Sequence, residues 1–246
     1  MKTALVTGGV SGIGRSTAEA LRDNGYRVIV ADLNEPASPM DEIQFIQADL
    51  ANTDACQHLI NTVNEQHNGI DILVNNAGFQ HVCPLEDFPL ETWQTMQSVM
   101  LTAPFLLTRG VWPAMKAKGW GRIINIASIH GLVASLFKSS YITAKHGLIG
   151  FTKASALEGG EFGITANAIC PGYVRTPLVE RQIADQSRLL NLPEDRVIAD
   201  VLLKNAAVKR LLTPEDIAAM VIYLCSPAAD CVTGSSWSID QGWTAQ

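Results

Sequence analysis

The sequence has few charged residues, no cluster of basic residues and no paired-cysteine motif. Charged residues make up 17% of the chain and the formal net charge is −6, so neither a nucleic-acid-binding protein nor a membrane-surface protein is indicated. The five cysteines show no Cys-x-x-Cys motif and no metal-ligand spacing, so we expect mostly buried, free thiols in a reducing compartment and no metal site. Because the sequence shows neither a signal peptide nor an apolar run of about 18 residues, we expect a cytoplasmic protein.

The sequence does contain a regular alternation of two hydrophobic patterns. Apolar residues make up 47% of the 246 residues, which is typical of one globular domain with a full core. Short apolar segments predict strands, and the segments between them have helical periodicity. This alternation predicts an α/β fold: a single-domain, Rossmann-type, doubly wound parallel sheet of about seven strands with helices on both faces. We predict strands near residues 2–7, 26–31, 43–48, 70–74, 123–126, 165–169 and 236–239. We predict helices near 15–24, 53–66, 91–116 (interrupted at Pro104 and Pro113), 141–157 and from 213, and a small helical substrate lid at about 174–210.

A glycine-rich turn joins the first predicted strand to the first helix. Glycines at positions 8, 12 and 14 let the backbone turn tightly and approach a phosphate, which the helix N-terminus then stabilises. Asp32 ends the second strand, 20 residues beyond Gly12, where a carboxylate can accept hydrogen bonds from both adenosine ribose hydroxyls and repels a 2′-phosphate. We therefore expect NAD rather than NADP, bound by the half of the domain at about residues 1–120.

A second stretch brings a hydroxyl, a phenol and an ammonium together. Ser128 follows a buried strand, and Tyr141 and Lys145 are four residues apart, which places both side chains on one face of a helix. Because a nearby ammonium favours phenolate, we expect the pKa of Tyr141 to lie below its usual value of about 10. A phenol tuned in this way can transfer a proton at neutral pH.

The motifs Thr7-Gly8-x-x-x-Gly12-x-Gly14, Asn75-Asn76-Ala77-Gly78, Ser128, Tyr141-x-x-x-Lys145 and Pro171-Gly172 occur in this order along the chain. Together they resemble the short-chain dehydrogenase/reductase family over essentially the whole sequence. The resemblance implies that Tyr141 exchanges a proton with the reacting oxygen, that Ser128 holds that oxygen, and that Lys145 lowers the pKa of Tyr141 and binds the nicotinamide ribose. It implies NAD contacts by Gly8, Ser11, Gly12, Ile13, Gly14, Asp32, Leu33, Asp49, Leu50, Asn76, Ala77, Gly78, Tyr141, Lys145, Pro171, Gly172, Val174 and Thr176.

Further segments around Ser128, Lys138 and Val174 are similar to the D-3-hydroxybutyrate dehydrogenases of this family. This closer resemblance implies reversible oxidation of (R)-3-hydroxybutyrate to acetoacetate, a small carboxylate that needs a cation and several donors in a dry cleft. It also implies a homotetramer, with interfaces on the helices near 91–117 and 141–157. The implied substrate-binding residues are Gln80, Ser128, His130, Lys138, Tyr141, Tyr173, Gln182 and Trp243.

Three positions depart from the family pattern. Met100 stands where the family usually has an asparagine that helps to hold a proton-relay water, and Pro104 lacks the N–H that would bond the Met100 carbonyl, so that carbonyl could hold the water instead. Tyr173 replaces a usual tryptophan, and Gln241 interrupts a usual Asp-Gly-Gly. Two alternatives therefore stay open: an enzyme acting on another small hydroxy acid or ketone, and an NAD-binding protein of low activity. Acyl-CoA reduction is disfavoured because it would suit NADP, which Asp32 opposes.

Overall fold

The computed structural model describes residues 1–245, apart from the side chains of residues 185 and 189. Its centre is a seven-stranded sheet in the order β3-β2-β1-β4-β5-β6-β7, and every neighbouring pair is parallel. The strand order reverses between β1 and β4, which creates a crevice at the carboxyl ends of these strands. The strands are β1 (Thr3–Thr7), β2 (Arg27–Asp32), β3 (Ile43–Gln47), β4 (Ile72–Asn75), β5 (Gly121–Ile126), β6 (Ile164–Pro171) and β7 (Ser236–Ile239).

Helices cover both faces of this sheet, which confirms the predicted doubly wound α/β fold. Local capping fixes several helix starts: the Asn52 side chain accepts from two backbone N–H groups at the start of the second helix, and Thr213 and Asp216 form a capping box at the start of the last. No helix within residues 1–245 is long and apolar enough to cross a membrane. The α-helices are α1 (Gly12–Asp23), α2 (Thr53–His67), α3 (Leu90–Gln97), α4 (Ala103–Lys118), α5 (Ser139–Gly159), α6 (Pro177–Leu190), α7 (Glu194–Val197) and α8 (Pro214–Cys225).

The core lies in two layers, one on each side of the sheet. On β2, Val28 and Val30 face the layer formed with α1 and α8, whereas Ile29 and Ala31 face the layer formed with α2 and α4. This alternation follows from the two-residue period of a strand. Strands β5 and β6 are buried along their whole length, as expected for parallel strands covered on both faces.

The long helical pattern predicted at 91–116 differs from the observed structure. It consists of α3, a π-helix at Ser98–Thr102 and α4, with Pro104 in the first turn of α4. The interruption predicted at Pro113 is wrong, because α4 continues through it to Lys118. Pro113 lies on the exposed face of α4, where water can bind the carbonyl that loses its helical partner. The π-helix adds a residue to the turn beside the crevice, a position where such helices are often functional.

Candidate active site

A cavity of about 540 Å³ opens at the carboxyl ends of β1, β4, β5 and β6. This is the crevice that the reversal of strand order predicts. The cavity brings together nearly all of the residues that the sequence suggested for cofactor and substrate. Those lining it are Gly8, Ser11, Gly12, Ile13, Asp32, Leu33, Asp49, Leu50, Asn76, Ala77, Gly78, Gln80, Ser128, His130, Lys138, Tyr141, Lys145, Pro171, Gly172, Tyr173, Val174, Thr176 and Gln182.

The glycine-rich turn forms a cradle that a side chain would fill. Gly8 and Gly12 have φ of 63° and 51°, a left-handed conformation that favours glycine. A Cβ atom on Gly8 would lie 2.8 Å from the Cα of Ala77. The Nδ2 atom of Asn76 donates to the carbonyl oxygens of Thr7 and Gly8 at 2.9 and 3.0 Å, which fixes the turn. The turn and the start of α1 together fit the phosphates of a dinucleotide.

Gly14 does not line the cavity; it lies behind the glycine turn, where α1 packs against Gly8 and Asn76. A Cβ atom at this position would lie 2.1 Å from the carbonyl oxygen of Gly8 and 2.5 Å from Nδ2 of Asn76. Both distances are far below van der Waals contact, so only glycine lets α1 pack this closely against the turn.

Asp32 lies at the other end of the crevice, where β2 ends. Its Oδ2 atom accepts a hydrogen bond from the backbone N–H of Val10 at 3.3 Å, and its Oδ1 atom accepts one from Asn34 at 3.1 Å. These two bonds hold the carboxylate on the wall of the cavity. A carboxylate in this position can accept ribose hydroxyls and repels a phosphate.

Ser128 and Lys145 are both anchored to backbone groups beside the end of β5. The Oγ atom of Ser128 accepts from the N–H of His130 at 3.1 Å, inside a short 3₁₀ turn at Ile129–Gly131. The Nζ atom of Lys145 donates to the carbonyl oxygen of Ile126 at 2.7 Å, and the ammonium is 5.6 Å from the ring centre of Tyr141. Ser128 and Tyr141, which are expected to contact the reacting oxygen, therefore meet Lys145 in one wall of the cavity.

The predicted direction of the Tyr141 pKa shift is wrong. Burial of the phenol raises its pKa above 10.0; the hydrogen bond with Ser128 acts in the opposite direction but is outweighed. Lys145 is itself buried, and burial lowers the pKa of its ammonium from 10.5 to about 8. The sequence places the ammonium correctly, but burial disfavours the charged forms of both partners.

A polar pocket adjoins this wall. The Nε2 atom of Gln182, on α6, donates to Oε1 of Gln80 at 2.8 Å. The Nε2 atom of Gln80 is buried and has no hydrogen-bond partner among the described residues. His130 and Ser135 share a hydrogen bond of 3.0 Å. Lys138 reaches into the same pocket and lies 5.9 Å from the ring centre of Tyr173.

His130 and Lys138, the two basic side chains of this pocket, differ in charge at pH 7. Burial and the neighbouring charge of Lys138 lower the pKa of His130 from 6.5 to about 4, so its imidazole is neutral at pH 7. Burial also lowers the pKa of Lys138 from 10.5. Trp243 does not line the cavity; its ring packs behind His130, with ring centres 6.3 Å apart. Lys138 is therefore the cation of the pocket, and His130 is a neutral hydrogen-bonding group.

Met100 lies directly behind Lys145. It belongs to the π-helix and is 1% exposed. A Cβ atom on Gly78 would lie 3.1 Å from the Met100 sulfur and 3.9 Å from Nζ of Lys145. The side chain beside Gly78 and the ammonium is therefore a thioether, which is only a weak hydrogen-bond acceptor. The other departure, Gln241, has a φ of 57° and donates from Nε2 to the carbonyl of Arg210 at 2.8 Å, which ties the C-terminal segment to the loop before α8.

Several residues that line the cavity were not predicted from the sequence. Thr95 and Val99 share one face of the helical segment before α4, and Phe79 follows the Asn-Asn-Ala-Gly turn. Arg181 precedes Gln182 on α6 and also lines the cavity. The four-residue spacing of Thr95 and Val99 was the available signal, but many solvent-facing pairs have the same spacing.

A sequence model of the family described as Enoyl-(Acyl carrier protein) reductase matches residues 8–244. A relative named D-beta-hydroxybutyrate dehydrogenase, from Rhizobium meliloti (strain 1021), is 45% identical over 256 residues, which cover 100% of this chain and 99% of the relative. The chain belongs to the short-chain dehydrogenase/reductase family. The resemblance seen in the motifs around Gly12, Ser128 and Tyr141 is thereby confirmed, and the chain is an oxidoreductase of this family.

Other members of the family carry different names. A relative named acetoacetyl-CoA reductase, from Shinella zoogloeoides, is 36% identical over 246 residues, which cover 98% of each chain. The solved structure of a 4-hydroxyisoleucine dehydrogenase complexed with NADH has a TM-score of 0.86 and 31% sequence identity, covering 100% of both chains. These similarities support a nicotinamide cofactor for the short-chain dehydrogenase/reductase chain described here.

Proposed function

We propose that this enzyme catalyses the NAD-dependent, reversible oxidation of (R)-3-hydroxybutyrate to acetoacetate. The observation that carries the proposal is the meeting of two groups of residues in one cavity. Ser128, Tyr141 and Lys145 form a proton-handling wall, and Lys138 lies in a polar pocket beside it. A substrate that fits both has a secondary hydroxyl close to a carboxylate, as a 3-hydroxy acid has. The relative named D-beta-hydroxybutyrate dehydrogenase supports this substrate.

The substrate carboxylate is assigned to the polar pocket. A carboxylate entering a buried site needs a cation and hydrogen-bond donors to offset the loss of water. Lys138 supplies the positive charge, and the buried Nε2 of Gln80 supplies a donor that has no partner among the described residues. His130 and Gln182 complete the pocket. This arrangement holds the hydroxyl carbon toward Tyr141.

The protein handles the hydroxyl proton. Tyr141 accepts it during oxidation and returns it during reduction, while Ser128 holds the reacting oxygen by a hydrogen bond. Burial raises the pKa of Tyr141 and the hydrogen bond with Ser128 lowers it; in the proposed function, the ammonium of Lys145, 5.6 Å from the ring centre, has the role of favouring the phenolate. The chemistry that bound NAD would supply is hydride exchange with the substrate carbon.

The cofactor is assigned as NAD. The glycine turn and the start of α1 would hold its phosphates, and the end of β6 with Thr176 would hold the nicotinamide end. Asp32 supports NAD over NADP, because its carboxylate is held by two backbone N–H groups where a 2′-phosphate would lie.

The test of the substrate is Lys138→Ala, measured by initial rates with (R)-3-hydroxybutyrate at saturating NAD. The loss of a half-buried charge partner should raise KM by a factor of roughly 10 or more with a smaller change in kcat. Lys153→Ala, on the exposed side of α5, is the matched control. An unchanged KM in Lys138→Ala would favour the alternative of a different hydroxy acid or ketone.

Acyl-CoA reduction is the second candidate, because a relative named acetoacetyl-CoA reductase covers nearly the whole chain. This candidate predicts efficient turnover of acetoacetyl-CoA by the enzyme, and activity with NADP as cofactor would favour it. The third hypothesis is an NAD-binding protein of low activity. Binding of NAD without NADH formation from any hydroxy acid would favour it.

A homotetramer is also proposed. The exposed apolar side chains of Phe105 on α4 and Leu157 on α5, which are 45% and 85% exposed, support interfaces on these helices. Light scattering after gel filtration tests this, and a monomer would contradict it. The cytoplasmic localisation and the lid at about 174–210 stay predictions.

A further inference from the structure

Arg181 is a cation on the cavity wall that neither the sequence motifs nor the proposed reaction uses. It lies on α6, is exposed, and forms no ion pair with any side chain that the structure describes. Its neighbour Arg175, by contrast, is paired with Glu180 at 3.1 Å and does not line the cavity. Arg181 is therefore placed to meet a ligand anion.

The first turn of α6 lies directly over the glycine turn. A Cβ atom on Gly12 would be 3.2 Å from Cγ2 of Thr176 and 3.8 Å from Cδ of Pro177. Residues four apart share a helix face, so Arg181 lies on the same face as Pro177. Leu178 and Gln182 form the next such pair, and Gln182 bonds Gln80 in the polar pocket. The helix spacing thus places Arg181 on the side of α6 that meets the glycine turn, and Gln182 on the side that meets the polar pocket.

The other positive groups lining the described cavity lie at the substrate end. Lys145 donates to the carbonyl of Ile126, and Lys138 lies beside Tyr173. The glycine turn offers backbone N–H groups but no positive side chain of its own, in a chain of net charge −6. A bound pyrophosphate would bring two negative charges to that turn, and a guanidinium binds such oxygens in pairs.

We propose that Arg181 binds the pyrophosphate of the dinucleotide across the cavity from the glycine turn. This inference rests on the proposed dinucleotide cofactor but not on the proposed substrate. Because Arg181 and Gln182 are adjacent, the contact would hold α6 in the position where Gln182 meets Gln80. Cofactor binding would thereby help to complete the substrate pocket.

The test compares ADP-ribose with AMP by isothermal titration calorimetry. ADP-ribose carries the pyrophosphate and AMP does not, whereas both carry the adenosine that Asp32 would bind. Arg181→Gln should raise the Kd for ADP-ribose by a factor of roughly 10 and change the Kd for AMP by less than a factor of about 2. Arg181→Lys should restore part of the loss, and Arg175→Gln is the charge-matched control.

Three outcomes would overturn the inference: equal losses for both ligands, an unchanged Kd for ADP-ribose, or no binding of ADP-ribose by the wild type. A higher KM for the hydroxy acid with an unchanged Kd for ADP-ribose would assign Arg181 to the substrate instead. If 3-hydroxybutyrate is not oxidised but the Arg181 effect on ADP-ribose is found, only the substrate assignment fails.

Discussion

Gln182 donates a hydrogen bond from Nε2 to Oε1 of Gln80, and the two atoms are 2.8 Å apart. The residues are 102 positions apart in the chain, and the bond joins α6 to the loop after β4. The same Gln80 side chain has a buried Nε2 without a partner among the described residues. One carboxamide therefore holds α6 and, in the proposed function, offers a donor to the substrate carboxylate.

Replacing Gln80 with Ala should remove both interactions. Since a neutral hydrogen bond contributes about 0.5–1.5 kcal/mol, we expect KM for (R)-3-hydroxybutyrate to rise by a factor of roughly 10 at saturating NAD. Gln57→Ala, on the exposed face of α2, is the control. A KM within a factor of about 2 of the wild-type value would show that Gln80 does not contact the substrate.

Lys145→Met should increase stability while abolishing activity. The buried ammonium has one described hydrogen-bond partner, the carbonyl of Ile126, and its removal relieves the cost of burying a charge. We expect a gain of about 1–3 kcal/mol in the free energy of unfolding at pH 7, measured in urea.

This gain should depend on pH. The pKa of Lys145 is about 8 in the folded protein, whereas an unperturbed lysine side chain has a pKa of 10.5. Between these values the unfolded state binds the extra proton, so wild-type stability rises with pH, whereas Lys145→Met lacks this rise. The difference should be greatest below pH 8 and shrink toward pH 10.5. A constant difference across this range would contradict the lowered pKa.

Gly14→Ala should destabilise the glycine turn. The added Cβ atom would lie 2.1 Å from the carbonyl oxygen of Gly8, and such overpacking costs about 1–3 kcal/mol or more. Gly150→Ala is a matched control, because no described atom outside the neighbouring backbone of α5 lies within 4 Å of its Cβ position; it should stabilise by about 0.5–1 kcal/mol. Thermal unfolding of both variants measures this. Equal stability of the two would mean that α1 does not pack as described.

Much of the site was predictable because its residues follow strand ends in the sequence. Gly8 follows β1, Asp32 is the last residue of β2, and Ser128 lies two residues after β5. The carboxyl ends of parallel strands lie at one edge of the sheet. The four-residue spacing of Tyr141 and Lys145 likewise fixed their common face. These are local patterns, so the sequence was sufficient to place them.

Other features depend on contacts between distant segments. The raised pKa of Tyr141 comes from burial, which the hydrogen bond with Ser128 does not overcome. The Gln80–Gln182 bond forms only when α6 packs over the cavity, and the sequence does not give that packing. Arg181 was not predicted because a single exposed arginine in a helix is usually an ordinary surface residue. The π-helix depends on a hydrogen-bond register that periodicity does not reveal.

Met100→Asn should not improve the enzyme. The Met100 side chain is 1% exposed and packs with Met96 and Ala144, so an asparagine would bury an amide at a cost of about 1–3 kcal/mol. If the backbone carbonyl of Met100 already serves the proton relay, kcat should stay within a factor of about 3 of the wild-type value. Met96→Asn, in the same cluster, is the stability control. A rise in kcat by orders of magnitude would show that the methionine limits proton transfer.

In the proposed function, this cavity oxidises a 3-hydroxy acid with NAD. The most direct test of this function is the rate of NADH formation from (R)- and (S)-3-hydroxybutyrate, repeated with NADP. We predict turnover with (R)-3-hydroxybutyrate and NAD that exceeds the rates with the (S) isomer or with NADP by a factor of roughly 100. Absence of NADH formation from (R)-3-hydroxybutyrate, or equal rates with both isomers, would contradict the claim.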